Sequence, residues 1–300
     1  MALGKLIYTI RRQSKLGFRH WYAERFLADR INEWRGADCS NNEDVPLHLL
    51  ASRNDWKMAL WMLASFHEAT RKRWLVFLHE DGSLGDIEFR IFRSLFPKIH
   101  IVTRRDADLK MEQVLGRYSR CQAYRRAMPH GLKAFDIPYF CQSDRFLMID
   151  PDVLFFRPPG EILNWAEDSN MRGCWFNRDF QEPSPISPAQ AVAELGVPLW
   201  PSVNTGLCLL ERQTVRNLDD MEEWLGHPAL QNPKMQWRVE QTLLALCASK
   251  VGKGGLLPEA YEVSSNKNRL PGGISRHYIG CVRDRFYSEG LCKINQMLFL

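Results

Sequence analysis

Arg145-Phe146-Leu147-Met148-Ile149-Asp150-Pro151-Asp152-Val153-Leu154-Phe155-Phe156 sets two carboxylates one residue apart between two uninterrupted apolar runs. A run without polar alternation predicts a strand covered on both faces. The aspartates fall where that strand ends, and open α/β sheets bind ligands at the carboxyl ends of their strands. Neither carboxylate is stable bare in an apolar setting, where a lone charge is costly or loses its ionisation. A hard divalent cation resolves the conflict. Mg²⁺ or Mn²⁺ takes one or two carboxylates and completes its shell with water and substrate phosphate oxygens. Pro151 fixes its own φ and biases Asp150 toward extended backbone, so the pair is presented stiffly. The competing reading is a plain strand-to-loop turn whose aspartates cap a helix or pair with Lys and Arg. The apolar lead-in and the exit through Phe155-Phe156-Arg157-Pro158-Pro159 favour the metal.

The 300 residues are ordinary globular material, 45% hydrophobic and 25% charged, with a net charge of +5. That length allows one large domain or two small ones with an ample core. The modest, dispersed positive charge suits anionic small ligands or a membrane surface. It argues against a nucleic-acid binder, since no aromatics interleave with the basic residues as a stacking platform requires. Eight cysteines (39, 121, 141, 174, 208, 247, 281, 292) are irregularly spaced with no CxxC. They read as reduced, mostly buried thiols rather than as a disulfide frame or zinc site. With no signal-peptide core, no bilayer-length apolar run and no N-x-[ST] sequon, a cytoplasmic protein is expected.

Along the chain, residues 1–36 carry eight Lys/Arg against three Asp/Glu. Trp21, Tyr22, Arg25, Phe26 and Asp29 fall at helical spacing. Two readings follow: a helix packing its aromatic side on the main domain, or a basic amphipathic segment touching anionic lipid. Residues 37–46 read as a polar linker. Leu47–Ser52 is expected to be the first strand, with Asn54 or Asp55 capping a helix that carries Trp56, Leu60, Trp61, Leu63 and Phe66. Strands over 73–80 and 99–103 and a helix over 84–96 continue a parallel sheet with crossover helices. Helical pieces are expected over 106–128 and 133–137, then at 159–166 and 237–249. Cys174–Asp179 is expected to be a strand end. The Pro-rich stretch 182–188 is expected to be a loop over the site, and 202–210 a turn entering a buried strand. No strand is followed by GxGxxG or GxxxxGK[ST], so any phosphates must be held by metal and basic side chains. Glu240 and Gln241 fall near the N-terminal end of the helix over 237–249, where their plain role is to meet its free N–H groups.

Four motifs in order, Ile149–Phe156, Val203–Leu210 (VNTGLCLL), Glu240–Leu246 (EQTLLAL) and His277–Tyr287 (HYIGCVRDRFY), resemble the retaining glycosyltransferases of family 8. The resemblance covers residues 47 to 287. It implies a GT-A (nucleotide-diphospho-sugar transferase) fold, α/β with a mostly parallel central sheet flanked by helices. Residues 47–300 would be the catalytic domain and 1–46 a basic helical extension with linker. It further implies that Asp150, Asp152 and His277 hold Mn²⁺ or Mg²⁺ against the diphosphate of a nucleotide-sugar donor, a UDP-sugar in most look-alikes. Lys133, 17 residues ahead of Asp150, would contact the donor. Gly280 and Arg283 match the end of the family's His-x-x-Gly-x-x-Lys tail, with an Arg fork in place of the Lys point charge. Asn204, Thr205 and Gly206 would lie beside the transferred sugar, and Glu240 and Gln241 match an Asp-Gln pair near the reacting carbon. Ala51 and Ser52 would receive the base. With no second carboxylate clearly placed as nucleophile, same-face displacement is favoured, with Glu240 or Asp179 as the alternative base or nucleophile. The acceptor, whether saccharide, lipid or protein, is not readable.

Three other readings compete. Haloacid-dehalogenase-like phosphatases also place Asp-x-Asp after an apolar strand, but near the N-terminus and followed by Thr, where this chain has Val153-Leu154. A nucleotidyltransferase would open with a Gly-rich loop and Lys. A non-catalytic GT-A-like nucleotide-binding scaffold would be favoured by loss of Asp150, Asp152 or His277, and all three are present.

Overall fold

The computed structural model describes residues 17–36, 40–182, 184–266 and 268–299. Strand β1 (Ser40–Ala51), helix α1 (Trp56–Thr70), β2 (Lys72–Glu80), α2 (Asp86–Leu95) and β3 (His100–Val102) alternate as expected. Helices α3 (Arg104–Val114), α4 (Ser119–Ala127) and α5 (Pro129–Phe140) lead into β4 (Arg145–Ile149). Then come β5 (Val153–Phe155), α6 (Gly160–Glu167), β6 (Cys174–Arg178), β7 (Val203–Glu211) and α7 (Gln236–Val251). Strands β8 (Gly254–Leu256), β9 (Tyr261–Val263) and β10 (Ser275–His277) precede a last helix, α8 (Cys292–Phe299). The main sheet runs β3-β2-β1-β4-β7-β6-β8, with β3, β2, β1 and β4 parallel and β7 antiparallel to both its neighbours.

The apolar run into Asp150 behaves as its composition requires. Leu147 and Ile149 face one hydrophobic cluster, and Phe146 and Met148 face another on the opposite side of the sheet. The neighbour β7 divides in the same way, Leu207 and Leu209 from Cys208 and Leu210. The second apolar run does not continue in that sheet. After the Asp150-Pro151-Asp152 turn, β5 joins a separate three-stranded sheet, β5-β10-β9. There Val153 pairs with His277, and Tyr278 donates its N–H to the carbonyl of Asp152 at 2.8 Å. The two aspartates are therefore the junction of two sheets.

Several local expectations are corrected. The linker expected over 37–46 becomes strand from Ser40, because the backbone of residues 40–42 pairs with Lys72–Trp74. Residues 1–16, 37–39 and 183 of the segments read above lie outside the described residues. Residues 17–33 are helical, but their buried face is aliphatic: Ala23, Leu27, Ala28 and Ile31 share a core with Phe286, Leu291 and Ile294. The aromatic face points outward, with Phe18 75% exposed and Tyr22 and Phe26 also exposed. Residues 106–128 form two helices broken near Tyr118, and the piece expected over 133–137 extends to Pro129–Phe140. Neither Asn54 nor Asp55 caps α1 through its side chain; Asp55 folds back to accept from Ser52 N–H (2.6 Å) and Oγ (3.0 Å). Five of the cysteines are buried, and the described ones are unpaired.

One clasp sets the position of α5, which carries Lys133. Arg125 of α4 forks onto Asp136 of α5, Nε to Oδ1 at 2.5 Å and Nη2 to Oδ2 at 2.8 Å, with both side chains buried. Burial pushes the Asp136 carboxyl up and the guanidinium opposes it. Breaking a buried pair from one side leaves a bare charge, which costs about 3–5 kcal/mol. Arg125→Ala is therefore expected to lose stability in that range by urea denaturation; a loss below about 1 kcal/mol would show the clasp to be dispensable.

Candidate active site

A cavity of about 440 Å³ opens at the carboxyl ends of β1 and β4. Leu50, Ala51, Ser52, Asn54, Asp55 and Asp81 line it on the β1 side of the aspartates, and Asn204, Thr205 and Gly206 of β7 with Trp237, Glu240 and Gln241 of α7 on the other. Lys133, Asp150, Asp152, His277, Gly280 and Arg283 complete the wall around the turn. Of the predicted site residues, only Asp179 stands outside it.

The ligand atoms of Asp150, Asp152 and His277 all lie within 4.8 Å of one another. His277 is brought there from the far end of the chain by the β5–β10 pairing described above. Its Nδ1 meets Asn204 Oδ1 at 2.9 Å, and its Nε2 faces Asp152 Oδ1 at 3.1 Å and Asp150 Oδ2 at 3.9 Å. The amide orientation of Asn204 is set independently, since its Nδ2 donates to Asp179 Oδ2 at 2.9 Å and Asp179 can only accept when ionised. Asn204 Oδ1 also accepts the Gly206 N–H at 3.0 Å. The oxygen thus calls for a proton on Nδ1 and leaves Nε2 to face the carboxylates, where it donates to Asp152 when protonated and would offer its lone pair to a cation. This is the outer-shell arrangement that orients a metal-binding imidazole. Asp179 is thereby linked to His277 through Asn204, two hydrogen bonds away. The set of two carboxylates and one imidazole, with the tautomer fixed, fits Mg²⁺ or Mn²⁺.

Gly206 makes room for that imidazole. A Cβ there would lie 2.2 Å from His277 Nδ1 and 2.3 Å from Cε1. Its carbonyl accepts the Asp150 N–H at 2.8 Å, so one residue of β7 touches both sides of the cation site.

Cations offset the aspartates. Lys133, 4% exposed, places Nζ 2.7 Å from Asp150 Oδ1, 3.3 Å from the Thr205 carbonyl and 3.7 Å from Glu240 Oε1. Burial alone would lower the pKa of this lysine, but Asp150 and Glu240 outweigh it and push it up. Arg283 spans the cavity floor, Nη1 3.5 Å from Asp152 Oδ2 and Nη2 3.3 Å from Asp55 Oδ2. Burial opposes ionisation of Asp152 too; His277 first and Arg283 second reverse it and hold the carboxyl below its ordinary value. Asp55, by contrast, is pushed up, because burial exceeds the help of Ser52 and Arg283.

Glu240 is the buried acid of the site, 1% exposed. Its Oε2 accepts from Thr205 Oγ1 at 2.8 Å and its Oε1 has no hydrogen-bond partner. The plain expectation that it serves the helix N–H groups fails: the helix begins at Gln236, and the carboxylate turns to β7 and Lys133. Burial raises its pKa to about 7, with Lys133 opposing. Among the described residues the Pro-rich loop does not line this cavity; Glu182 and Ser184 line a small one beside it with Trp200, Gln241 and Thr242. Asn54, Asp55, Asp81, His130 and Trp237 were not anticipated. Asp81 had a usable signal, since it ends β2 by the same carboxyl-end rule that marks Asp150.

The architecture is the GT-A fold of nucleotide-sugar glycosyltransferases. No family sequence profile matches the chain, and no curated protein sequence does. Among solved structures, the WbbM bifunctional glycosyltransferase superposes with a TM-score of 0.51 at 12% identity, over 86% of this chain and 50% of that one. The chain thus spans half the length of WbbM. Core-mannan synthase A (CmsA/Ktr4) from Aspergillus fumigatus, in an Mn/GDP form, gives 0.49 at 11% identity over 90% and 89%. Mouse xyloside xylosyltransferase 1 gives 0.48 at 10% identity over 79% and 97%.

Two measurements test the site. Between about pH 4.5 and 7 native Glu240 holds a proton that the unfolded chain has released. Its contribution to stability is therefore complete below pH 4.5 and lost as pH rises through 7. The stability of Glu240→Gln relative to the native chain is expected to climb across that window in urea unfolding; a constant difference refutes the shift. Gly206→Ala is expected to displace His277 and weaken Mn²⁺ binding roughly 10–100-fold by calorimetry, the loss typical when a ligand's support is disturbed. Unchanged affinity would remove His277 from the metal set.

Proposed function

We propose that the chain is a metal-dependent, retaining glycosyltransferase of the family 8 kind, moving a sugar from a UDP-sugar to an acceptor hydroxyl. The observation that carries this reading is the Asp150–Asp152–His277 trio set in one cavity with two fixed cations, Lys133 and Arg283. Two acids, an imidazole and two bases suit a diphosphate with its cation. Asp150, Asp152 and His277 would hold Mn²⁺ or Mg²⁺, which when bound supplies electrostatic stabilisation of the diphosphate. Lys133 and Arg283 add fixed positive charge where the leaving diphosphate gains negative charge. Ala51 and Ser52, with Asn54, Asp55 and Asp81, would receive the base, and Gly280 would let the phosphates approach the backbone.

The transferred sugar would lie between Asn204, Thr205 and Gly206 on one side and Glu240 and Gln241 on the other. In the favoured course the acceptor oxygen bonds to the anomeric carbon on the face the diphosphate leaves. The carbon–oxygen bond to the diphosphate breaks, and the hydroxyl proton passes to the leaving phosphate oxygen. Glu240, with a pKa near 7 and an unpartnered oxygen, would hold that proton or act as nucleophile instead, with Asp179 as the other candidate.

The same reading assigns the exposed Phe18, Tyr22 and Phe26, with Arg19 and Arg25 exposed beside them, to contact with an anionic lipid surface on the cytoplasmic side. Among the described residues, no helix is long and apolar enough to cross a membrane.

Calorimetry with UDP, with and without Mn²⁺, tests the donor assignment. UDP is expected to bind only with metal, and Asp152→Ala to weaken binding at least tenfold. Metal-independent binding, or an unaffected variant, refutes the metal role. GDP binding in place of UDP corrects the base alone.

A further inference from the structure

Trp237 is a large aromatic side chain left 47% exposed in the wall of the reaction cavity. It stands on the first turn of α7, three and four residues before Glu240 and Gln241, so all three share one helix face. The guanidinium of Arg238 lies over its ring, 4.4 Å from the centroid, and Arg238 Nη1 donates to the Glu182 carbonyl at 3.4 Å. The indole is thus braced in an open position rather than packed. His130, on the first turn of α5, lines the same cavity, and its Nδ1 is buried without a hydrogen-bond partner. Burial, and then Lys133, push this imidazole below its ordinary value, which favours the neutral ring with one donor and one acceptor nitrogen.

A braced aromatic plate and an imidazole in the same wall suit a ligand that is apolar on one face and hydrogen-bonding at its edge. A pyranose ring has that surface: axial C–H groups on one face and hydroxyls around the rim. An acyl chain would leave His130 unsatisfied among charged neighbours. The position also excludes the donor base, because Trp237 lies on the β7 side of the aspartates and Ala51-Ser52 on the β1 side. We propose that Trp237 and His130 form the acceptor subsite and that the acceptor is a saccharide. The assignment rests on the donor reading above. The acceptor ring lies against Trp237, one helical turn outward from the sugar held at Glu240 and Gln241, and His130 takes one of its hydroxyls.

Saturation-transfer NMR with Mg²⁺ and UDP present tests this, using the methyl glycosides of β-glucose, β-galactose and α-mannose, with octyl phosphate as the lipid-like probe. At least one glycoside is expected to bind, with saturation concentrated on one face of its ring. Trp237→Ala should weaken it at least fivefold, Trp237→Phe should restore most of the loss, and His130→Ala should weaken it two- to tenfold. Calorimetry of UDP with Mg²⁺ on the same variants should agree with the native protein within twofold, which shows that they are folded. Three results overturn the proposal: silence of every glycoside while UDP binds, an alanine variant at Trp237 that binds as the native protein does, or saturation of octyl phosphate alone. Glycoside binding at Trp237 with neither UDP nor GDP bound also overturns the acceptor role, but through the donor reading, so the two failures are told apart.

Discussion

Two negative charges at the end of a fully buried strand are the constraint around which this chain is arranged. Strand β4 is covered on both faces, and it leads into a turn where Asp152 is buried and Asp150 half-buried. Each neighbour answers that charge. Lys133 reaches it from α5, Arg283 from the C-terminal part of the chain, and the His277 imidazole from β10. Burial disfavours the charge of Lys133 and of His277, and the acids around them outweigh it. The pKa directions record the mutual dependence: burial lowers Lys133 and raises Asp152, and in both cases the opposite charge prevails. Such a set is balanced only in company, and a diphosphate with its cation is suitable company.

Behind that set stands a second layer whose purpose is orientation. Asp179 holds Asn204, Asn204 holds His277, and Gly206 leaves the space that the imidazole occupies. Thr205 between them turns its hydroxyl to Glu240 and its carbonyl to Lys133. Four consecutive positions of one strand, residues 203–206, therefore carry a core side chain and three distinct supports for the chemistry.

The sequence exposed the parts whose physics is local. Buried strands show as unbroken apolar runs, and the Asp-x-Asp turn lies at the end of one. The motif resemblance added Asn204–Gly206 and His277, which the fold brings together. Non-local features stayed hidden. Val153–Phe155 reads like a continuation of the strand before it, and only pairing with Ser275–His277, more than a hundred residues on, moves it to another sheet. Residues 40–42 are polar and look like linker, yet their backbone extends the sheet. In the N-terminal helical segment two faces compete at the same spacing. The small and aliphatic Ala23, Leu27, Ala28 and Ile31 permit closer approach to the core than Phe18, Tyr22 and Phe26 do. Nothing in the sequence around Asp179 announces its hydrogen bond to Asn204, a residue 25 positions away.

The turn that changes sheets has a mechanical meaning. Asp150 belongs to the end of the large sheet, while Asp152 and His277 are tied to the paired backbone of the small one. A cation held by all three would be a rivet through both sheets, not an ornament on one. The small sheet, with β9 and β10 backed by the buried Arg276 and its partners Glu262 and Glu289, would then take its rigidity partly from the occupant of the site. Loading the site would then tie β10 and its partner strands more firmly to the end of β4, and emptying it would release that tie.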